Sequence, residues 1–151
     1  MRRHNSLDFT LHFGFFPDVA AHRRMLSSAS VGQWLDIALI RAAEIAIRVV
    51  GEEESRELNR RYRRKDSPTN VLTFDYSRDP MVMADIVLCG PVVQREAAAQ
   101  SKPLKNHYAH LLVHGVLHAQ GYEHETNERH ALEMEALEIL LLGALGIRNP
   151  Y

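Results

Sequence analysis

The stretch Leu111-Leu112-Val113-His114-Gly115-Val116-Leu117-His118-Ala119-Gln120-Gly121-Tyr122-Glu123-His124 decides how this chain is read. His114 and His118 are four residues apart. A helix places both imidazoles on one face, one turn apart, where they can hold a single ion. Gly121 lets the chain leave that helix through a left-handed turn, which a residue with a Cβ resists. The turn can swing His124 back toward the pair. Three neutral nitrogen ligands would then leave a fourth tetrahedral position open to water, the feature that separates a catalytic zinc site from a closed structural one.

Leu111, Leu112, Val113, Val116 and Leu117 mark this helix as largely buried, and imidazoles buried without partners are costly. The chain has nine histidines, so some are bystanders. His4, His12, His22 and His130 show no ligand spacing and read as surface or loop residues. His107 and His110 are closer to the motif. His110 lies one turn before His114 on the same row, so it rivals His118 as a ligand, stands behind the ligands in the second shell, or is a core histidine bonded to backbone. The spacing is similar to that of the metzincin proteases, which place a general-base Glu directly after the first His. Here that position is Gly115, which cannot transfer a proton. Metzincins also carry a Met turn below the metal, whereas Met134 sits inside a plain helical run.

With 151 residues and 17.2 kDa, residues 1–151 read as one domain with room for a sizeable core. Apolar residues make up 46% and charged residues 25%, the balance of a soluble globular protein. There is no apolar run of about 18 residues to span a membrane, and the N-terminus lacks the pattern of a signal peptide. A lone cysteine, Cys89, excludes an internal disulfide and suits a reducing cytoplasm; it reads as a small buried residue. The net charge of −1 gives no global attraction to nucleic acid, so any such role rests on a local patch.

Leu7, Phe9, Leu11 and Phe13 alternate with polar residues as a half-buried strand. Residues 15–30 read as irregular, followed by a helix carrying Trp34, Leu35, Ala38, Leu39 and Ala42. Ile45, Ile47 and Val49 form a second strand. Residues 52–61 form a polar helix with acids first and arginines last, as the helix dipole favours. Strands follow at 70–76 and 83–89. Helices follow at 92–101, 104–120 and 126–145, the first opened by Gly90-Pro91. Strands interleaved with helices predict an α+β domain: a small mixed four-stranded sheet covered by helices, with a zincin-like metal-binding helix.

Arg56, Arg60, Arg61, Arg63, Arg64 and Lys65 crowd into ten residues, and the loop Asp66-Ser67-Pro68-Thr69-Asn70 follows at once. A bare charge run is usually a solvated helix end. This run ends in a loop, where functional residues concentrate, and arginine grips phosphate bidentately. Tyr62, Tyr76 and Tyr122 offer faces for stacking unpaired bases. Asp85, Glu123 and Glu125 are the acidic candidates for proton transfer or for orienting a ligand histidine from the second shell.

The run from Leu58-Asn59-Arg60-Arg61-Tyr62-Arg63-Arg64-Lys65-Asp66 through Ser67-Pro68-Thr69-Asn70-Val71-Leu72-Thr73-Phe74, then Asp85-Ile86-Val87, then His110 through His124, resembles the YbeY endoribonucleases, bacterial rRNA-processing metalloproteins. The resemblance runs from about Leu58 to the final helix. It implies a compact α+β fold and one Zn²⁺ per chain, held by His114, His118 and His124. It implies Arg63 as the functional arginine; on a metal-assisted cleavage, Arg60, Arg61, Arg64 and Lys65 would hold the flanking RNA backbone. It also implies single-strand-specific RNA cleavage in 16S rRNA 3′-end maturation, and late ribosome quality control. The implied partners are single-stranded RNA, an rRNA precursor and the small ribosomal subunit, with a ribosomal protein or a ribosome-associated GTPase as further candidates. The family usually has Leu-Leu at Ala119-Gln120, Asp at Glu123 and Gly at Ala84. Ala119 and Gln120 would loosen packing below the metal, and Ala84 would alter the strand beside Asp85.

Other readings compete. A zinc-dependent metallopeptidase has the histidine spacing in its favour and Gly115 against it. A non-catalytic ribosome-assembly factor with structural zinc predicts RNA binding that survives chelation. An isolated basic RNA-binding module leaves the three histidines unexplained.

Overall fold

A computed structural model describes residues 6–122 and 128–151. Its sheet has the order β1-β2-β4-β3. Strands β1 (Leu7–Phe13), β2 (Ala43–Val50) and β4 (Val82–Cys89) are mutually parallel, and the edge strand β3 (Val71–Ser77) runs antiparallel to β4. Among the described residues there are six helices: α1 (Val19–Met25), α2 (Ser28–Ala38), α3 (Glu52–Arg63), α4 (Gly90–Ala99), α5 (Leu104–Ala119) and α6 (Glu128–Ala144). The fold is α+β, with a mixed four-stranded sheet. None of the helices is long and apolar enough to cross a membrane.

The two faces of the sheet differ. Register pairs Ile45 with Ala84, Ile47 with Ile86 and Val49 with Leu88, so one face is a continuous apolar surface. Helices α2 and α5 cover it, and all six side chains are buried with Trp34, Leu35, Leu112 and Val116. Each such Ile or Leu taken from water contributes about 1.5–3 kcal/mol, which makes this layer the main source of stability. The opposite face carries only a small cluster, Val50, Leu72 and Val87, packed with Leu58 of α3 and Phe74.

Several boundaries differ from the sequence reading. Residues 15–30 are not irregular throughout, because α1 forms there and Ser27 caps α2 by accepting from the Ser30 N–H at 3.2 Å. His22, expected at the surface, is fully buried. It lies 2.5 Å from the Tyr108 hydroxyl through Nδ1 and 2.9 Å from Gln94 Oε1 through Nε2. A seven-residue helix shows too little periodicity to reveal its inner face. The expected loosening at Ala119-Gln120 is also corrected. Ala119 is buried, and the Gln120 amide donates to Ala38 O at 2.6 Å while accepting from the Ile40 N–H at 3.0 Å. Those bonds tie the end of α5 to the α2–β2 connection. A register shift between Asp75 and Ser77 interrupts β3 opposite Ala84 and Met83.

Candidate active site

Between His107 and Ala119, every residue of α5 is buried except His110, His114 and His118. These three lie on one row, four residues apart, and make a stripe of imidazoles along an otherwise apolar helix. Gly115 sits on the sheet side of the same helix, where a Cβ would meet Thr73 Oγ1 at 3.1 Å and Ile86 Cδ1 at 3.2 Å. That close approach seats α5 on β3 and β4. Gly121, at φ +106°, ends the helix as its position predicts, and its Cβ would meet the Arg78 guanidinium at 3.1 Å.

Behind the stripe stands Glu138 of α6, a fully buried acid. Its Oε2 accepts from His114 Nδ1 at 2.7 Å, and its Oε1 accepts from His110 Nε2 at 3.0 Å and from the Tyr151 hydroxyl. Burial alone would raise the Glu138 pKa, but these hydrogen bonds outweigh it and pull the carboxyl down to about 2. An ionised carboxylate only accepts, so both imidazoles donate to it. The bond from His114 therefore runs from its Nδ1–H, with Nε2 as the other ring nitrogen. His110 commits Nε2 to the carboxylate, and its Nδ1 is buried without a hydrogen bond. The side chains of His110 and His114 are 12% and 27% exposed. Burial, followed by the Glu138 bond, pushes the Tyr151 hydroxyl pKa upward.

Sequence reasoning missed Glu138. Its signal was an acid on the apolar stripe Met134–Glu138–Leu142, residues four apart that are all buried. Asp85, the acid expected behind the histidines, points to the other face of the sheet, in register with Phe74 and Ala46. There it accepts from the Tyr76 hydroxyl at 2.7 Å. Strand alternation separates it from Ile86, which does face α5. His124, Glu123 and Glu125 lie outside the described residues. Among the described residues, no three His, Cys, Asp or Glu side chains converge as a metal group.

The arginine run forms the end of α3 and the loop after it. Arg56 pairs with Asp66 through two bonds of 2.7 and 3.1 Å, and Arg60 and Arg61 both reach Glu57. The Arg60 hydrogen bond holds the Glu57 carboxyl below its ordinary pKa. Arg63, Arg64 and Lys65 are exposed and have no acidic partner among the described residues. Arg64 closes α3 in the left-handed conformation, at φ 59°. The loop is fastened to α3 because Asn59 donates to Ser67 O at 2.8 Å and the Ser55 hydroxyl bonds both backbone groups of Thr69. It is also fastened toward α5. Asn70 Nδ2 donates to Glu96 Oε1 at 3.0 Å, and the same oxygen lies 2.8 Å from His107 Nε2. A chain of three side chains therefore links the arginine loop to the histidine helix. Of the expected stacking tyrosines, Tyr62 packs edge-on against Phe74, with ring centroids 5.1 Å apart. Tyr62, Tyr76 and Tyr122 are all exposed.

A histidine-striped helix laid across a mixed sheet, tied through Glu96 to the loop after α3, defines the class: a small α+β domain. The family model described as Endoribonuclease YbeY matches residues 22–146, and the chain belongs to that family. It is 63% identical over 145 residues to Endoribonuclease YbeY of Polaromonas sp. (strain JS666 / ATCC BAA-500), covering 96% of this chain and 94% of the relative. It is 54% identical over 147 residues to the protein of the same name from Delftia acidovorans (strain DSM 14801 / SPH-1), covering 97% of each. The solution structure of TM1509 from Thermotoga maritima shares the fold at a TM-score of 0.57 and 21% identity, over 93% of this chain and 91% of that one.

Proposed function

We propose that this chain, acting as one domain, is a metal-dependent endoribonuclease that cuts single-stranded RNA. Its substrate is the 3′ end of 16S rRNA precursor, processed on the small ribosomal subunit in the cytoplasm and again in late ribosome quality control. Membership of an endoribonuclease family supports the reaction class. The observation that carries the metal reading is the partly buried His110–His114–His118 row with Glu138 bonded to His114 Nδ1. The donor set fits zinc, since neutral imidazoles with a carboxylate on the far nitrogen are its usual ligands. His114 and His118, with His124, would hold one ion per chain. When bound, zinc supplies Lewis acidity that lowers the pKa of water toward ~7.

The protein's own side chains do the rest. Arg63 grips the scissile phosphate and offsets the charge that builds on its non-bridging oxygens. Arg64 and Lys65 hold the flanking backbone. Arg60 and Arg61 must exchange Glu57 for phosphate, and such exposed pairs are weak enough to exchange. A ribosomal protein or a ribosome-associated GTPase delivers the substrate.

The test is to incubate the purified chain with single-stranded RNA and with unfolded casein, with and without a chelator, beside His114→Ala and Arg63→Ala. Chelator-sensitive RNA cleavage that both substitutions lower by tenfold or more is expected. Casein loss would favour a peptidase. RNA cleavage equal to wild type in both variants would remove the site assignment.

A further inference from the structure

Glu138 sits where an apolar residue would pack without cost, between Met134 and Leu142 on the inner face of α6. No Lys or Arg among the described residues pairs with it; its partners are two imidazoles and a phenol. The two carboxylate oxygens divide the work. Oε2 takes the Nδ1 proton of His114, and Oε1 is held by His110 and Tyr151. Tyr151 also packs edge-on against the His110 ring, with centroids 5.3 Å apart, and its hydroxyl lies 3.3 Å from His110 Nε2. The arrangement allows the carboxylate little rotation. Turning it to release His114 would break its bonds to His110 and Tyr151 as well.

We propose that Glu138 and Tyr151 are positioning residues for His114: the carboxylate, clamped by Tyr151 and His110, fixes the Nδ1–H tautomer and so reserves Nε2 for a divalent metal. This rests on the metal reading given above. It assigns α6 and the Tyr151 segment a role in the site that neither carries through direct contact with RNA.

Two readouts test it. Nitrogen-15 spectra of the metal-free full chain report the His114 tautomer without any metal. Competition against a chromophoric chelator reports zinc affinity. Wild type should show His114 protonated on Nδ1. Glu138→Gln should shift that proton population and weaken zinc binding by about 10–100-fold. Tyr151→Phe should fold normally and weaken zinc by at least twofold, and it carries the test if Glu138→Gln fails to fold. An Nε2–H tautomer at His114 in wild type overturns the proposal, as does a zinc Kd unchanged in both variants. If wild type binds no zinc, the metal reading fails, and the tautomer spectra alone decide the positioning role.

Discussion

The Cβ position of Gly115 lies 3.2 Å from Ile86 Cδ1 and 3.1 Å from Thr73 Oγ1, so residue 115 faces the sheet rather than the row of histidines. The glycine is there because α5 needs this approach to sit on β3 and β4. A carboxylate at this position would be wedged between α5 and the sheet, against Ile86 and the Thr73 hydroxyl. Gly115→Glu is therefore expected to cost about 3 kcal/mol or more, through overpacking and an uncompensated buried charge. It should create no casein-cleaving activity. Thermal melting and a protease assay check both halves; a stable, proteolytic variant would mean that position 115 faces the site after all.

The burial of His107, at the end of the link from Asn70 through Glu96, makes stability depend on pH. Burial holds the His107 pKa below its ordinary value, against the opposing Glu96 bond. Below about pH 6.5 the unfolded chain takes up a proton there that the folded chain resists. The unfolded state then binds more protons, so stability is full above this range and falls as pH drops through it. His107→Gln should flatten that decline. Denaturant melts at pH 7.5, 6.5 and 5.5 measure it, and an equally steep decline in the variant would assign the effect elsewhere.

Gln120 was expected to weaken the packing at the end of α5. Its amide instead donates to Ala38 O and Val116 O and accepts from the Ile40 N–H. Gln120→Ala should cost about 1–2 kcal/mol, since it leaves the Ala38 carbonyl short of a donor. A urea melt with an unchanged m-value checks this.

The histidine row and the strand alternation were legible because both follow from fixed periods, four on a helix and two on a strand. Val71–Ser77 and Val82–Cys89 fall within a residue of their expected bounds for the same reason. What escaped was tertiary. Asp85 is a lone acid in an apolar strand and Glu138 is one of several acids on α6, and only the packing shows that one faces Tyr76 while the other lies behind His114. His22 escaped in the same way, its partners Gln94 and Tyr108 lying 72 and 86 residues away. The basic run was read as one patch, yet half of it is paired with Glu57 and Asp66.

That division gives a salt-dependence prediction. Each phosphate contact to single-stranded RNA releases counterions, with a slope of about −0.7 per contact in log K against log salt. Replacing Arg64 and Lys65 together by Ala should reduce the slope by about 1.4. Arg60→Ala should change it less, because Glu57 already neutralises that guanidinium. Fluorescence anisotropy with a labelled oligoribonucleotide over a salt series measures both variants beside wild type, and an Arg60→Ala slope change equal to half that of the double variant would remove the distinction.

Metal removal offers the last test, because ligand binding to the native chain alone raises its stability. Chelation of the wild-type protein should lower Tm, and added zinc should restore it. His118→Ala should melt near the chelated wild type and respond little to either treatment, since metal binding is coupled to folding. His124→Ala should lose bound zinc by elemental analysis, whereas Arg63→Ala should keep both zinc and Tm while losing cleavage. Zinc lost from Arg63→Ala would make the arginine part of the scaffold. Zinc retained in His124→Ala would require another third ligand.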